Sequence, residues 1–260
     1  MNRTSPPSRA LADAQAAWLW KLHGFRAPAD LVLEDLALAL GVLVVEGPLA
    51  GADARLLRNA GHGLVRIRSD IPEPGRKRFA LAHELGHWLL HGLGSPLSAC
   101  TPEAHVTGHD HAPEIEANQF ASSLLMPEPL FRPRIRGSRP SVELLRSLAS
   151  VFATSFTATA VRYVELQDDY CAVVISEGGR VLWWRGSRCF TQRFRIESGS
   201  WLSPATVAAR ALSGRAPSSA PEQVAFRAWI VRGRPVETFL FEQCVLLERY
   251  RQAVSLIWLP

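Results

Sequence analysis

The sequence predicts an α+β protein in three parts. A mainly helical N-terminal domain with a small sheet is followed by a pair of short helices and a C-terminal domain of strands and helices. Three observations predict this. Apolar residues recur at helical spacing over residues 8–24, 76–92 and 113–126. Short runs rich in Val, Ile and Leu at 42–47 and 61–70 read as strands. After residue 168 the chain changes character, and strands joined by glycine turns replace helices. A chain of 260 residues has room for one large domain or two to three small ones. The boundaries fall at 1–136, 137–168 and 169–260.

Taken in order, "SRALADAQAAWLWKLHG" (8–24) places Ala, Leu and Trp on a helical period and stops at Gly24. A second helix covers 28–40, ended by Gly41. "VLVVEG" (42–47) is a strand. "GHGLVRIRSD" (61–70) is another, with Leu64, Arg66 and Arg68 alternating against Val65 and Ile67. "IPEPG" breaks the chain before the helix of 76–92. Residues 93–112 are rich in Gly, Pro, Ser and His and form a long loop, a length often tied to function. The helix of 113–126 begins at Pro113, with Glu114 and Glu116 in its first turn. "PEPLFRPRIRG" is a short helix or turn. Over 141–166, Leu144, Leu145, Leu148, Phe152, Ala160 and Tyr163 suit two helices meeting at "ATSF", a helix-turn-helix. "YCAVVISEGGRVLWWRGS" is a strand, an E-G-G turn and a strand, and residues 236–259 hold one or two further strands or a helix.

Composition excludes several classes. With 47% hydrophobic and 20% charged residues the chain belongs with folded globular proteins. No apolar run reaches the ~18 residues of a membrane span. "MNRTSPPSRALADAQ" lacks the apolar core of a signal peptide, so the cytoplasm is the expected compartment. Cys100, Cys171, Cys189 and Cys244 are scattered and read as free thiols. The net charge of +5 comes from residues 169–260, with 12 basic and 7 acidic side chains against 13 and 14 in residues 1–135. That excess would suit an acidic partner, and equally a solvated basic surface.

"RKRFALAHELGHWLLHG" (76–92) carries the chemistry. Its H-E-x-x-H puts His83 and His87 four residues apart, on one helical face, where both offer a ring nitrogen to one ion at ~2.0–2.1 Å. Glu84 reaches the same side and is the expected general base for a water activated by the ion. A catalytic zinc keeps three protein ligands and an open position. Glu114, 27 residues after His87, offers the third in an arrangement that resembles the gluzincins. Glu116 competes, but it lies about 200° away round the helix. Asn118, four residues after Glu114, favours Glu114, because its amide can hold the other nitrogen of a ligand histidine. His91 lies ~6 Å further along the axis and is expected at the rim or behind a ligand. Glu116 is then a solvent-facing acid. His105, His109 and His111 sit in the loop, where one could donate to a developing oxyanion.

Together, "RFALAHELGHWLLH" and "EIEANQFASSLLMP" resemble the ImmA/IrrE family of metallopeptidases. The resemblance implies His83, His87 and Glu114 as zinc ligands, with manganese as an alternative, and Glu84 as general base and acid. It also implies cleavage of a cytosolic helix-turn-helix repressor of the XRE type. The order of parts is similar to the IrrE-type regulators of the radiation and DNA-damage response: a gluzincin-like peptidase (1–136), helix-turn-helix-like helices (137–168) and a GAF-like domain (169–260).

The substrate is expected to add as a strand to an edge strand "GLVRIRS", with Arg66 and Arg68 available to acidic residues. Direct DNA binding is not expected, since "TSFTATAVRYVEL" offers only Arg162 against Glu165 and Asp168. Trp183, Trp184, Trp201, Trp229 and Trp258 line a small-ligand pocket in a sensor reading, or fill the core. A DNA-binding or ligand-sensing regulator and a toxin–antitoxin component remain the alternatives on this sequence.

Overall fold

Ser8 caps the first helix. Its hydroxyl accepts from the Leu11 N–H, and α1 (Arg9–His23) ends where Gly24 turns the chain at φ 70°. The computed structural model describes residues 8–59, 61–92, 112–233 and 238–260. They divide into two compact units, Met1–Phe131 with Ala149–Ala158 and Arg132–Leu148 with Thr159–Pro260.

In the first unit the helix expected over 28–40 is split. Asp30 accepts from the N–H groups of Arg26 and Ala27, which fixes a short 3-10 turn at Pro28–Asp30 before α2 (Leu33–Ala39). The strands β1 (Val42–Gly47), β2 (Ala54–Asn59) and β3 (His62–Arg68) form one sheet in the order β1-β3-β2. β3 runs parallel to β1 and antiparallel to β2. Gly63, Val65 and Ile67 are its buried face, as the alternation requires.

This order corrects one expectation. β3 is the central strand, so "GLVRIRS" has both sides paired and offers no edge to a substrate. The edges are β1 and β2. β2 escapes notice in the sequence because "ARLLRN" has no β-branched residue and two arginines. Arg68 is not open to a substrate either. It pairs with Asp53 at 3.1 Å and Asp70 at 2.8 Å.

Two long helices follow, α3 (Pro74–Leu90) and α4 (Ala112–Leu125). α3 packs on β2 and β3 and against α4, and α4 also packs on α1. Leu81 and Leu85 are fully buried, while Phe79, Leu89 and Leu90 are half-buried. The Trp20 indole donates to the Leu124 carbonyl at 2.8 Å and ties α1 to α4. α5 (Glu128–Ile135) then precedes α6 (Val142–Phe152) and α7 (Phe156–Leu166), which meet at a bend of 108°. That bend lies in the range of a helix-turn-helix.

The second unit is built on a five-stranded antiparallel sheet. Its strands are β4 (Cys171–Glu177), β5 (Arg180–Gly186), β6 (Glu222–Ala225), β7 (Phe239–Leu247) and β8 (Gln252–Trp258), in the order β5-β4-β8-β7-β6. The E-G-G turn forms as expected, with Gly178 and Gly179 at φ 55° and 79°. The final stretch resolves into two strands. Two short helices, α8 (Arg188–Arg193) and α9 (Val207–Leu212), add to the unit. Phe190, Phe194, Phe226, Trp229 and Ile230 form its core with Ala172, Val174 and Ile257. The five tryptophans do not gather. Trp229 lies in that core, whereas Trp201 is 67% exposed with the Arg180 guanidinium 3.8 Å over its ring.

Cys171 and Cys244 are buried free thiols, pushed up to about 12 by burial, and Cys189 is free and partly exposed. Cys100 lies outside the described residues. Among the described residues no single helix is long and apolar enough to cross a membrane.

Candidate metal centre

Successive turns of α3 bring His83 and His87 to one face, and the first turn of α4 brings Glu114 to meet them. The two Nε2 atoms lie 3.0 Å apart. A Glu114 oxygen lies 3.3 Å from His83 Nε2, and its other oxygen lies 3.2 Å from His87 Nε2. Four ligands at ~2.05 Å in a tetrahedron are about 3.3 Å from one another. The Nε2–Nε2 separation is close to such an edge, and each ring nitrogen lies at a similar distance from one of the two Glu114 oxygens. Among the described residues, these three form the one His/Cys/Asp/Glu group whose ligand atoms converge for a metal. Two imidazoles and one carboxylate are also the donor set of a catalytic zinc with an open position.

Close packing makes the convergence possible. Gly86 lies between the two histidines and faces α4. A Cβ there would stand 3.0 Å from Ala117 Cα and 3.1 Å from Phe120 Cδ1. Without that side chain α4 approaches closely enough for Glu114 to reach both rings.

The hydrogen bonds fix the state of each group. His83 Nδ1 donates to Asn118 Oδ1 at 2.9 Å, which leaves Nε2 for an ion. His83 is 4% exposed. Burial alone would push its pKa down, but the Glu114 hydrogen bond, the charges of Glu84 and Glu114 and the Asn118 contact raise it overall. Burial acts the other way on Glu114, yet the two histidines hold its carboxyl far below the usual range. Glu84 is 3% exposed, beside His83. Its charge reaches Arg58 on β2, whose pKa is lowered chiefly by burial and supported by Glu84. Arg58 donates to the carbonyls of His87 and Trp88 (3.3 Å to the latter) and stacks on the Trp88 ring. It thereby satisfies carbonyls at the C-terminal end of α3. Nothing in "ARLLRN" announces that contact.

Glu116 differs from expectation, and His91 takes its expected place behind a ligand histidine. Glu116 is not solvent-facing: its side chain is 17% exposed and binds His91 Nε2 at 2.9 Å. His91 is 9% exposed and lies behind His87, with the two Nδ1 atoms 2.9 Å apart. Burial lowers its pKa, with Glu116 opposing. The i,i+4 spacing of His87 and His91 is visible in the sequence. The partner from another helix is not. His105, His109 and His111, the loop histidines weighed as oxyanion donors, lie outside the described residues.

Residues 37–163 match a peptidase family model described as the IrrE N-terminal-like domain. The whole chain is similar in fold to a Mycobacterium tuberculosis transcriptional regulator, with 17% identity and a TM-score of 0.60 over 95% of this chain and 76% of that one. No curated protein matches the sequence significantly. The matched stretch contains α3 and α4 with the converging His83, His87 and Glu114.

Proposed function

We propose that the protein is a zinc-dependent endopeptidase that cleaves a helix-turn-helix repressor of the XRE type and so releases stress-response genes. The observation that carries this is the convergence of His83, His87 and Glu114 beside the buried acid Glu84. His83, His87 and Glu114 would hold zinc, or manganese in its place. When bound, the ion supplies Lewis acidity and lowers the pKa of water to roughly 7. Glu84 takes the proton of the attacking water and returns it to the leaving amine. Asn118 holds the His83 ring in the ligating tautomer. β2 is an edge strand packed on α3, and it replaces β3 as the strand we assign to a substrate segment.

The repressor as substrate rests on the family likeness, and the fold shared with a transcriptional regulator agrees with a role in gene expression. The closeness to the IrrE-type DNA-damage regulators, the gluzincin and GAF-like assignments, the three-part division and the cytoplasmic location belong to the same proposal. The antiparallel sheet of the C-terminal unit supports the GAF-like reading. Direct DNA binding stays disfavoured, because Arg162 is 5% exposed and offers little to a phosphate.

The test is incubation of the purified protein with zinc and the repressor encoded beside it, with any cut mapped by mass spectrometry. Glu84→Gln should bind zinc as the wild type does and lose cleavage by about 10²–10⁴-fold. Undiminished cleavage by that variant removes Glu84 from the role of base.

A further inference from the structure

We propose that His91 and Glu116 form a positioning dyad for His87, tethered to the start of α1 through Ser8. The proposal rests on the metal reading above. The geometry is a chain of three contacts. His87 Nδ1 lies 2.9 Å from His91 Nδ1. His91 Nε2 lies 2.9 Å from Glu116 Oε2. Glu116 Oε1 accepts from the Ser8 N–H at 2.6 Å.

A single arrangement of protons joins these contacts to a ligating His87. To offer the Nε2 lone pair to an ion, His87 carries its proton on Nδ1. That proton needs an acceptor, and the atom facing it is His91 Nδ1. His91 must then carry its own proton on Nε2, where Glu116 accepts it. The second Glu116 oxygen is occupied by the Ser8 N–H. Every donor thus meets an acceptor, and the direction of the chain leaves His87 Nε2 bare. With its protons reversed, the chain would place a proton on His87 Nε2 and block the site.

His91 is not a fourth ligand. Its Nδ1 faces the back of His87, and it lies outside the group whose ligand atoms converge. The two ligand histidines therefore have different supports. His83 is held by an amide from α4, and His87 by a relay of His91 from α3 and Glu116 from α4. Outer hydrogen bonds of this kind are typically worth 10–100-fold in metal affinity.

The test measures zinc affinity by competition with a chromogenic chelator, together with the visible absorption of the cobalt-substituted protein. His91→Leu removes the acceptor and should weaken zinc binding by about 10–100-fold and shift the cobalt bands. His91→Gln keeps a carbonyl oxygen for His87 Nδ1–H and should recover most of the affinity. A pure packing role predicts no such rescue. Should His91→Leu fail to fold, Glu116→Ala provides the second arm, and a severalfold loss of affinity is expected there. Wild-type affinity and cobalt spectrum in folded His91→Leu or in Glu116→Ala overturn the dyad, as does a Gln variant no better than Leu. A wild-type chain that takes up no zinc overturns the dyad and the proposed function together. Tight zinc binding without proteolysis counts against the proposed activity alone.

Discussion

A histidine ligates through Nε2 only while its proton sits on Nδ1, and the proton sits where an acceptor holds it. At His83 that acceptor is Asn118 Oδ1. Asn118→Leu should lower zinc affinity by about 10–100-fold, measured by chelator competition, while Asn118→Asp keeps an acceptor and should stay near wild type. Equal affinities for Leu and Asp would deny Asn118 its role. Asn118 was legible in the sequence because it follows Glu114 by one turn, and spacing within a helix is fixed by 3.6 residues per turn. The partnership of Glu116 with His91 was not legible. It depends on how near α3 and α4 lie, and on where α1 brings the Ser8 N–H.

At the scale of elements, the centre exists because α3 and α4 pack unusually closely at Gly86. Gly86→Ala would gain up to ~1 kcal/mol of helix propensity. Its methyl would nevertheless press on Ala117 and Phe120, and overpacking costs about 1–3 kcal/mol. The two effects largely offset in stability, yet the displacement falls on the helix that carries Glu114. The expected outcome is a melting temperature within a few degrees of wild type and zinc affinity reduced about tenfold or more. An unaltered affinity by calorimetric titration would show that α4 yields without moving its carboxylate. The same scale explains the misplaced edge strand. The apolar alternation of β3 is visible in the sequence, but whether a strand is central depends on its neighbours, and β2 lacks the residues that reveal one.

At the scale of the whole molecule, the two units use buried glutamates differently. Glu114 is held ionised by its histidines. Glu242, in the C-terminal unit, accepts from the N–H groups of Val207 and Ala208, the Trp229 indole and the Ser255 hydroxyl, all at 2.8–2.9 Å. Burial outweighs these donors and raises its pKa above the ordinary 4.5. A carboxyl raised on folding binds its proton more tightly in the native state, so its contribution is full below the ordinary value and falls as pH rises through the shifted one. Urea unfolding of wild type and Glu242→Gln across pH 4–8 should show this slope in their difference, with stability of the wild type falling relative to the variant as pH rises. A difference independent of pH would place the titration of Glu242 at its ordinary value. The amide also sets an NH2 against donors, so Glu242→Gln should cost about 1–3 kcal/mol at low pH.

The sequence by itself determined the helix that pairs His83 with His87, the acid that meets them, Glu114 rather than Glu116, and the α+β character of the chain. These follow from periodicity and from the demands of a three-ligand ion, which are local or nearly so. Tertiary structure alone decided the rest: the order of the three-stranded sheet, the short elements α8, α9 and β6, the Arg58 contact at the end of α3, and the pairing of His91 with Glu116. Each depends on distances between segments far apart in the chain, and those distances are set by side-chain volume at the packed faces. The missing side chain at Gly86 is the clearest instance.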